Sequence, residues 1–249
     1  QVLRRTKDAV LADLPPKMIR DAELPLTDEQ FASYRRAEED GVVRLSEMGT
    51  ELTIQHVFEL VLRLKQICNF DPATGASAKF EQLAADHDEC AASGRKAIVF
   101  SQWVETIGEL AKRLERYNPL EFHGRVPSAR RDGVIQEFKT NPDRHVLLMS
   151  YGAGSVGLNL QFAEYVFLFD RWWNPAVEDQ AINRAHRIGV AGPVTVTRFL
   201  SVGTIEERIH RVLEEKRELF DAVFGGPDER GKRGLSRNEV FGLFNLPAA

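Results

Sequence analysis

VLLMSYGAGSVGLNLQFAEYVFLFDRWWNPAVEDQAINRAHRIG, residues Val146 to Gly189, is the stretch whose pattern decides the fold. It holds two short apolar runs, VLLM from Val146 and YVFLF from Tyr165, each stopped by glycine or polar residues. Continuous apolar runs of this length, bounded by breakers, suit strands buried on both faces of a parallel sheet. Ligands of open α/β sheets bind at the carboxyl ends of such strands. Ser150, Gly152, Gly154, Gly157, Asp170, Trp172, Trp173, Arg184 and Arg187 fall at those ends or follow them.

The same alternation extends on both sides. AIVF from Ala97 precedes a helix with Trp103, Ile107, Leu110, Leu114 and Tyr117 on one face. LEF from Leu120 precedes HGRVP and a helix ending at Phe138, and VTVTRFL begins at Val194. Five strands with intervening helices imply a parallel sheet with right-handed crossovers. Residues 27 to 92 read as helical. Thr27 and Gln30 make a capping box after Pro25. Ile54, Val57, Phe58, Val61, Leu62 and Ile67 keep helical spacing, and a third helix runs from Lys79 to Ala92 before Ser93-Gly94. Thr204 and Glu207 form another capping box. They open a long helix with Ile205, Ile209, Val212, Leu213, Leu219 and Phe220 on one face. A loop from Gly225 to Gly234 and a last helix capped by Ser236 and Glu239 complete the chain, and no internal repeat is visible.

The 249 residues, 43% hydrophobic, allow one large domain or one domain with an attached helical portion. No apolar run of about 18 residues is present to cross a membrane, and QVLRRTKDAV has no secretory h-region. Cys68 and Cys90 lack metal-site spacing and suit packing in a reducing compartment. With 33 basic and 37 acidic residues the net charge is −4. That excludes nucleic-acid binding through overall charge, so any such surface must be local.

VLLMSYGAGSVGLNL and FDRWWNPAVEDQAINRAHRIG resemble the second RecA-like lobe of Swi/Snf-type ATPases, the DNA translocases of helicase superfamily two. The likeness runs from LRRTKDAVLADLPPK through KAIVFSQW and FHGRVP to TIEERI. It implies an α/β fold, a RecA-like parallel sheet flanked by helices, with an N-terminal helical portion and a C-terminal brace helix. Residues 1–22 would be a connector from a first lobe, 23–92 a helical protrusion, 93–202 the lobe, and 203–249 the brace helix and extension. The implied activity is ATP-dependent translocation on double-stranded DNA inside the cell. ATP with Mg²⁺ would be held mainly by the N-terminal lobe of the same protein. The expected partners are duplex DNA, that lobe and other DNA-bound proteins, with no membrane.

Gln180 and Arg184 are one helical turn apart, with Arg187 about a turn later, so the three are expected to project from one side of a helix start. Cations inserted from a second lobe stabilise the charge spread over a γ-phosphoryl group in transfer. By resemblance Arg184 and Arg187 are the arginine fingers, with Gln180 beside them. Gly157 and Asn159 would face the nucleotide, and Ser150 and Gly154 the DNA. Ser101, Gln102, Gly124 and Arg131 match DNA-tracking positions, with His123 and Arg125 in the same loop; Arg125 stands where a serine is usual. Sequence-blind tracking needs amides, hydroxyls and cations at strand tips. Trp172 and Trp173 are candidates to stack on bases or wedge in a groove, one packing under its loop. The family's Ser-Thr-Arg/Lys-Ala-Gly-Gly reads Ser150-Tyr151-Gly152-Ala153-Gly154-Ser155 here, and its glutamine after HRIG is Val190.

Two motifs mislead. GAGSVG satisfies the dinucleotide fingerprint, yet seven residues separate Gly157 from Tyr165 and Asp170 comes 13 after Gly157, where that unit needs a long helix and about 20. GPDERGKR ends in arginine where a phosphate loop needs Ser or Thr, and follows a helix. Fingers without a phosphate loop, metal carboxylates or a base make half of an enzyme, inactive alone. The alternatives are a dinucleotide-binding oxidoreductase domain, an RNA helicase lobe of the same superfamily, and a helical interaction module.

Overall fold

The structure is a computed structural model. It describes residues 15–153, 158, 160–187, 192–224 and 235–246, with the backbone alone for 217–224. Among them the strands are β1 (Lys17–Leu24), β2 (Ala97–Ser101), β3 (Leu120–Phe122), β4 (Val146–Ser150), β5 (Tyr165–Leu168) and β6 (Val194–Ser201). The helices are α1 (Asp28–Glu47), α2 (Ile54–Asn69), α3 (Ala78–Ala92), α4 (Val104–Arg113), α5 (Ser128–Thr140), α6 (Pro175–Ala185), α7 (Ile205–Phe224) and α8 (Arg237–Gly242).

The strands form one sheet in the order β1-β6-β5-β2-β4-β3. The pairs β2/β4, β2/β5, β3/β4 and β5/β6 are parallel. Every residue of β2 and β4 is buried, as uninterrupted apolar runs require when both faces are covered. All five strands expected from the sequence are present. The sixth, β1, lies across the boundary of the expected connector. It is an edge strand, KMIRDAEL, with Lys17 to Asp21 all exposed. An edge defended by charge on both faces carries no apolar alternation to read.

The chain forms two compact units. One comprises Gln1–Arg20, Asp86–Leu168 and Asp179–Arg198, and the other Asp21–Ala85, Phe169–Glu178 and Phe199–Ala249. The first has the sheet interior as its core, with Ile98, Phe100, Leu148, Val166, Phe167 and Phe138 buried. The second has a separate core: Tyr34, Val57, Val61, Leu64 and Ile67 meet Ile205 and Ile209, and Val240, Phe241 and Phe244 close it. Cys68 and Cys90 are free and buried; burial pushes both thiols up to about 12, so they are packing residues.

Capping explains several boundaries. Gln30 N donates to Thr27 Oγ1 and Thr27 N to Gln30 Oε1, as the sequence anticipates. Ser236 and Glu239 open α8 in the same reciprocal way. At α7 the expected box takes another form: Glu206 N donates to Thr204 Oγ1, and Glu207 accepts from Gly203 N. The apolar stripe of α2 is also rotated from the expected one. Leu62 is 37% exposed, whereas Leu60, Leu64 and Cys68 are buried, because the core face follows 57, 60, 61, 64, 67 and 68. On α7, Leu219 and Phe220 lie outside the described side chains.

Candidate nucleotide and nucleic-acid site

Strands β2 to β6 keep one direction, but the side on which successive strands are added reverses about β2. From it β3 and β4 lie to one side, and β5 and β6 to the other. The carboxyl ends next to such a reversal are where open α/β sheets place ligands. Ser101 ends β2 and Ser150 ends β4, and the two are register partners. Phe122, the last residue of β3, pairs with Met149, so His123 opens its loop on the same edge. The topology thus gathers Ser101, Gln102, His123, Gly124, Arg125 and Ser150 along one border.

Their side chains divide the work. Ser101 Oγ accepts from Trp103 N at 3.2 Å and Ser150 Oγ from Ala153 N at 3.3 Å, so both hydroxyls tighten the turns leaving their strands. His123 Nδ1 accepts from Arg125 N, while Nε2 lies 3.2 Å from Glu121 Oε2. That pair of partners selects the tautomer carrying its proton on Nε2. Arg131 Nε donates to Val126 O at 3.0 Å and Nη2 to Gly124 O at 3.3 Å, so Arg131, at the start of α5, braces the loop. Arg125 is the exposed cation there, 69% accessible and paired with Glu105 at 2.5 Å. The backbone N–H of Glu105 and then Arg125 hold that carboxyl below its usual range. An exposed pair of this kind contributes little and exchanges readily for another anion.

Tyr151 and Gly152, the departures from the family's pattern, follow directly. The Tyr151 ring is buried and stacks on Phe100 with centroids 5.5 Å apart, which explains an aromatic where a hydroxyl residue is usual. Gly152 is exposed. Gly154, Gly157 and Asn159 lie outside the described residues.

Gln180 and Arg184 sit on α6, Gln180 exposed and Arg184 half-buried in the last turn; Arg187 follows the helix end and is exposed. The expectation that the three project from a helix start is therefore corrected. Asn174-Pro175 begins the helix, and eleven residues carry the arginines to its other end. Leu160 N donates to Arg184 O at 3.2 Å. His186 is buried, with Nε2 2.8 Å from Pro15 O, a packing role.

In the second unit, the Asp170–Asn174 turn is fixed from several sides. Asn174 Oδ1 accepts from Ala176 N and starts α6. Glu178, buried, accepts from Arg171 Nε at 2.8 Å and from Trp172 N at 2.8 Å. Lys65 Nζ donates to Arg171 O at 2.7 Å and lies 4.7 Å from the Trp173 ring centre. Phe58 meets Trp173 edge-on at 5.4 Å. Trp172 lines a small recess with Lys65, His210 and Leu213. Burial pulls Lys65 below the ordinary lysine range, against the opposing pull of Glu206 and Asp170.

Sequence reasoning missed Lys65, Asn69, Lys79, Glu178 and Glu206. Lys65 could have been flagged, since it stands one turn from Val61 on the core face of α2. Lys79 and Glu206 meet across 127 positions, a separation at which no local spacing signals a pair.

Residues 78–189 match the helicase conserved C-terminal domain. An ATP-dependent helicase of Mycoplasma genitalium is 35% identical over 98% of this chain and 24% of that protein. The chain spans about a quarter of the length of the curated relatives it matches. The Sulfolobus solfataricus SWI2/SNF2 ATPase core in complex with dsDNA is 31% identical, with a TM-score of 0.71 over 98% of this chain and 54% of that one. The C-terminal domain of the same ATPase is 28% identical, with a TM-score of 0.69 over 93% and 99%. Motifs at the sheet's carboxyl edge and likeness along nearly the full length agree: this chain belongs to the Snf2 family, as its helicase C-terminal lobe.

Proposed function

We propose that this lobe is the finger-donating half of an ATP-dependent translocase on double-stranded DNA. The observation carrying the reading is the gathering of motif residues along one sheet border, next to the point where the strand order switches sides. The relative of known structure with duplex DNA on its ATPase core supports the choice of nucleic acid.

Arg184 and Arg187 place positive charge where the transferred phosphoryl oxygens gather negative charge as two lobes meet. Gln180 lies one turn before Arg184, in position to order the attacking side. The amides and hydroxyls of residues 101–102, 123–125 and 150 follow phosphates of one DNA strand without reading bases. ATP with Mg²⁺ supplies the reactive phosphoryl group when bound. This chain fits its γ-phosphate side, through half-buried Arg184 in the last turn of α6 and exposed Arg187 just after it, and not its metal side. Among the described residues no three His, Cys, Asp or Glu groups gather to hold a metal. The metal and the phosphate loop belong to a first lobe.

The test is turnover in a mixture of this chain with the first lobe of a two-lobed relative, in duplex DNA. Arg184→Ala and Arg187→Ala should each lower turnover by about 10³- to 10⁵-fold while leaving DNA binding in place. Loss of less than about tenfold for both would remove the fingers from the account. Equal stimulation by single-stranded RNA would reassign the nucleic acid.

A further inference from the structure

The turn that launches α6 rests on a buried polar string. Glu206, in the first turn of α7, accepts from Lys79 Nζ at 2.7 Å; their side chains are 1% and 0% exposed. Lys79 Nζ also donates to Asn69 Oδ1 at 3.1 Å, and Asn69 Nδ2 donates to Asp170 Oδ2 at 3.2 Å. The second carboxylate oxygen of Glu206 accepts from Ser201 N at the end of β6. All four residues are buried. They come from α7, the start of α3, the end of α2 and the turn after β5, and all belong to the second unit.

Stability alone does not account for such a string. Removing two ions from water costs several kcal/mol each, and well-packed apolar residues often replace a buried pair without loss. What a fully satisfied buried network does supply is one arrangement, because any shift leaves a charge or an amide unpaired. Here the arrangement selected ends on Asp170. The next residue, Arg171, is held through its carbonyl by Lys65 and through its side chain by Glu178, in the first turn of α6.

We propose that Lys79 and Asn69 are positioning residues: through Asp170 they fix the turn from which α6 departs with Gln180 and Arg184. The inference rests on the finger reading of that helix. It gives the first turn of α7 a task beyond packing, since Glu206 completes the string.

The experiment measures kcat, KM for ATP and thermal midpoint in the two-lobe mixture for three variants: Lys79→Met, Lys79→Met with Glu206→Gln, and Asn69→Leu. Lys79→Met should lower the midpoint by leaving the Glu206 charge buried and unpaired. The double variant should regain the midpoint. All three should show kcat reduced by up to about 10²-fold, the scale of a misplacement near 1 Å, with KM unchanged. A double variant, or Asn69→Leu, that folds with the parent kcat would overturn the proposal and leave the string a packing feature. Arg187→Ala in the parent is the control. If it costs nothing, the finger reading and this inference fall together; an Arg187-dependent mixture indifferent to Lys79 and Asn69 removes only the inference.

Discussion

His87 stands on α3 fully buried, edge-on to Tyr117 at 4.5 Å, and among the described residues neither ring nitrogen has a hydrogen-bond partner. Burial first, and then His145, lower its pKa to about 4. The folded form therefore keeps the ring neutral where the unfolded chain, near pH 6.5, already takes a proton. This contribution is complete above the unfolded value and is lost as pH falls from about 6.5 towards 4, on the order of 3 kcal/mol in all. His87→Phe should flatten the dependence of thermal midpoint on pH across that window; parallel curves for parent and variant would contradict the assignment. At this scale the sequence is legible where chemistry repeats locally, as at Thr27 with Gln30. It is illegible where partners are distant: nothing near Tyr151 announces Phe100, and nothing near Lys79 announces Glu206.

Among the elements, α1 and α2 approach closely at Gly41. A Cβ there would stand 2.3 Å from Leu60 Cδ1, and Leu60 is itself buried. Gly41→Ala would gain about 1 kcal/mol of helix propensity, and overpacking costs about 1–3 kcal/mol. Since Leu60 sits in the core, we expect a net loss of thermal stability; an unchanged or raised midpoint would show that Leu60 can yield. The short helix α8 adheres through its apolar side chains: Val240 and Phe241 are both 0% exposed, and Arg208 Nη1 donates to Leu243 O. Phe241→Ala should destabilise by about 3–5 kcal/mol, read by denaturant unfolding, and a cost under about 1 would place α8 outside the core. The central strands β2 and β4 were readable because both their faces are covered, and β3, β5 and β6 because short apolar runs between helical stretches mark them. β1 was not, since its charged, exposed sequence carries no alternation, and the stripe of α2 was misplaced because Leu62 is apolar yet faces outward.

For the molecule as a whole, a net charge of −4 means that the proposed DNA binding must rest on a local surface. Binding of duplex DNA should weaken as salt rises, with a slope reflecting few phosphate contacts. Arg125→Ala should reduce that slope by about one; an unchanged slope would move the DNA path away from the 123–125 loop. The family and the strand edge were legible because their motifs are contiguous, while the turn that carries α6 was visible only once the chain folded. The most direct measurement is ATP hydrolysis by this chain in saturating duplex DNA, alone and then with a separately made first lobe. The account predicts no turnover alone and turnover in the mixture. Hydrolysis by the chain alone would mean that it holds a complete phosphate site, and would contradict its assignment as the finger-donating half.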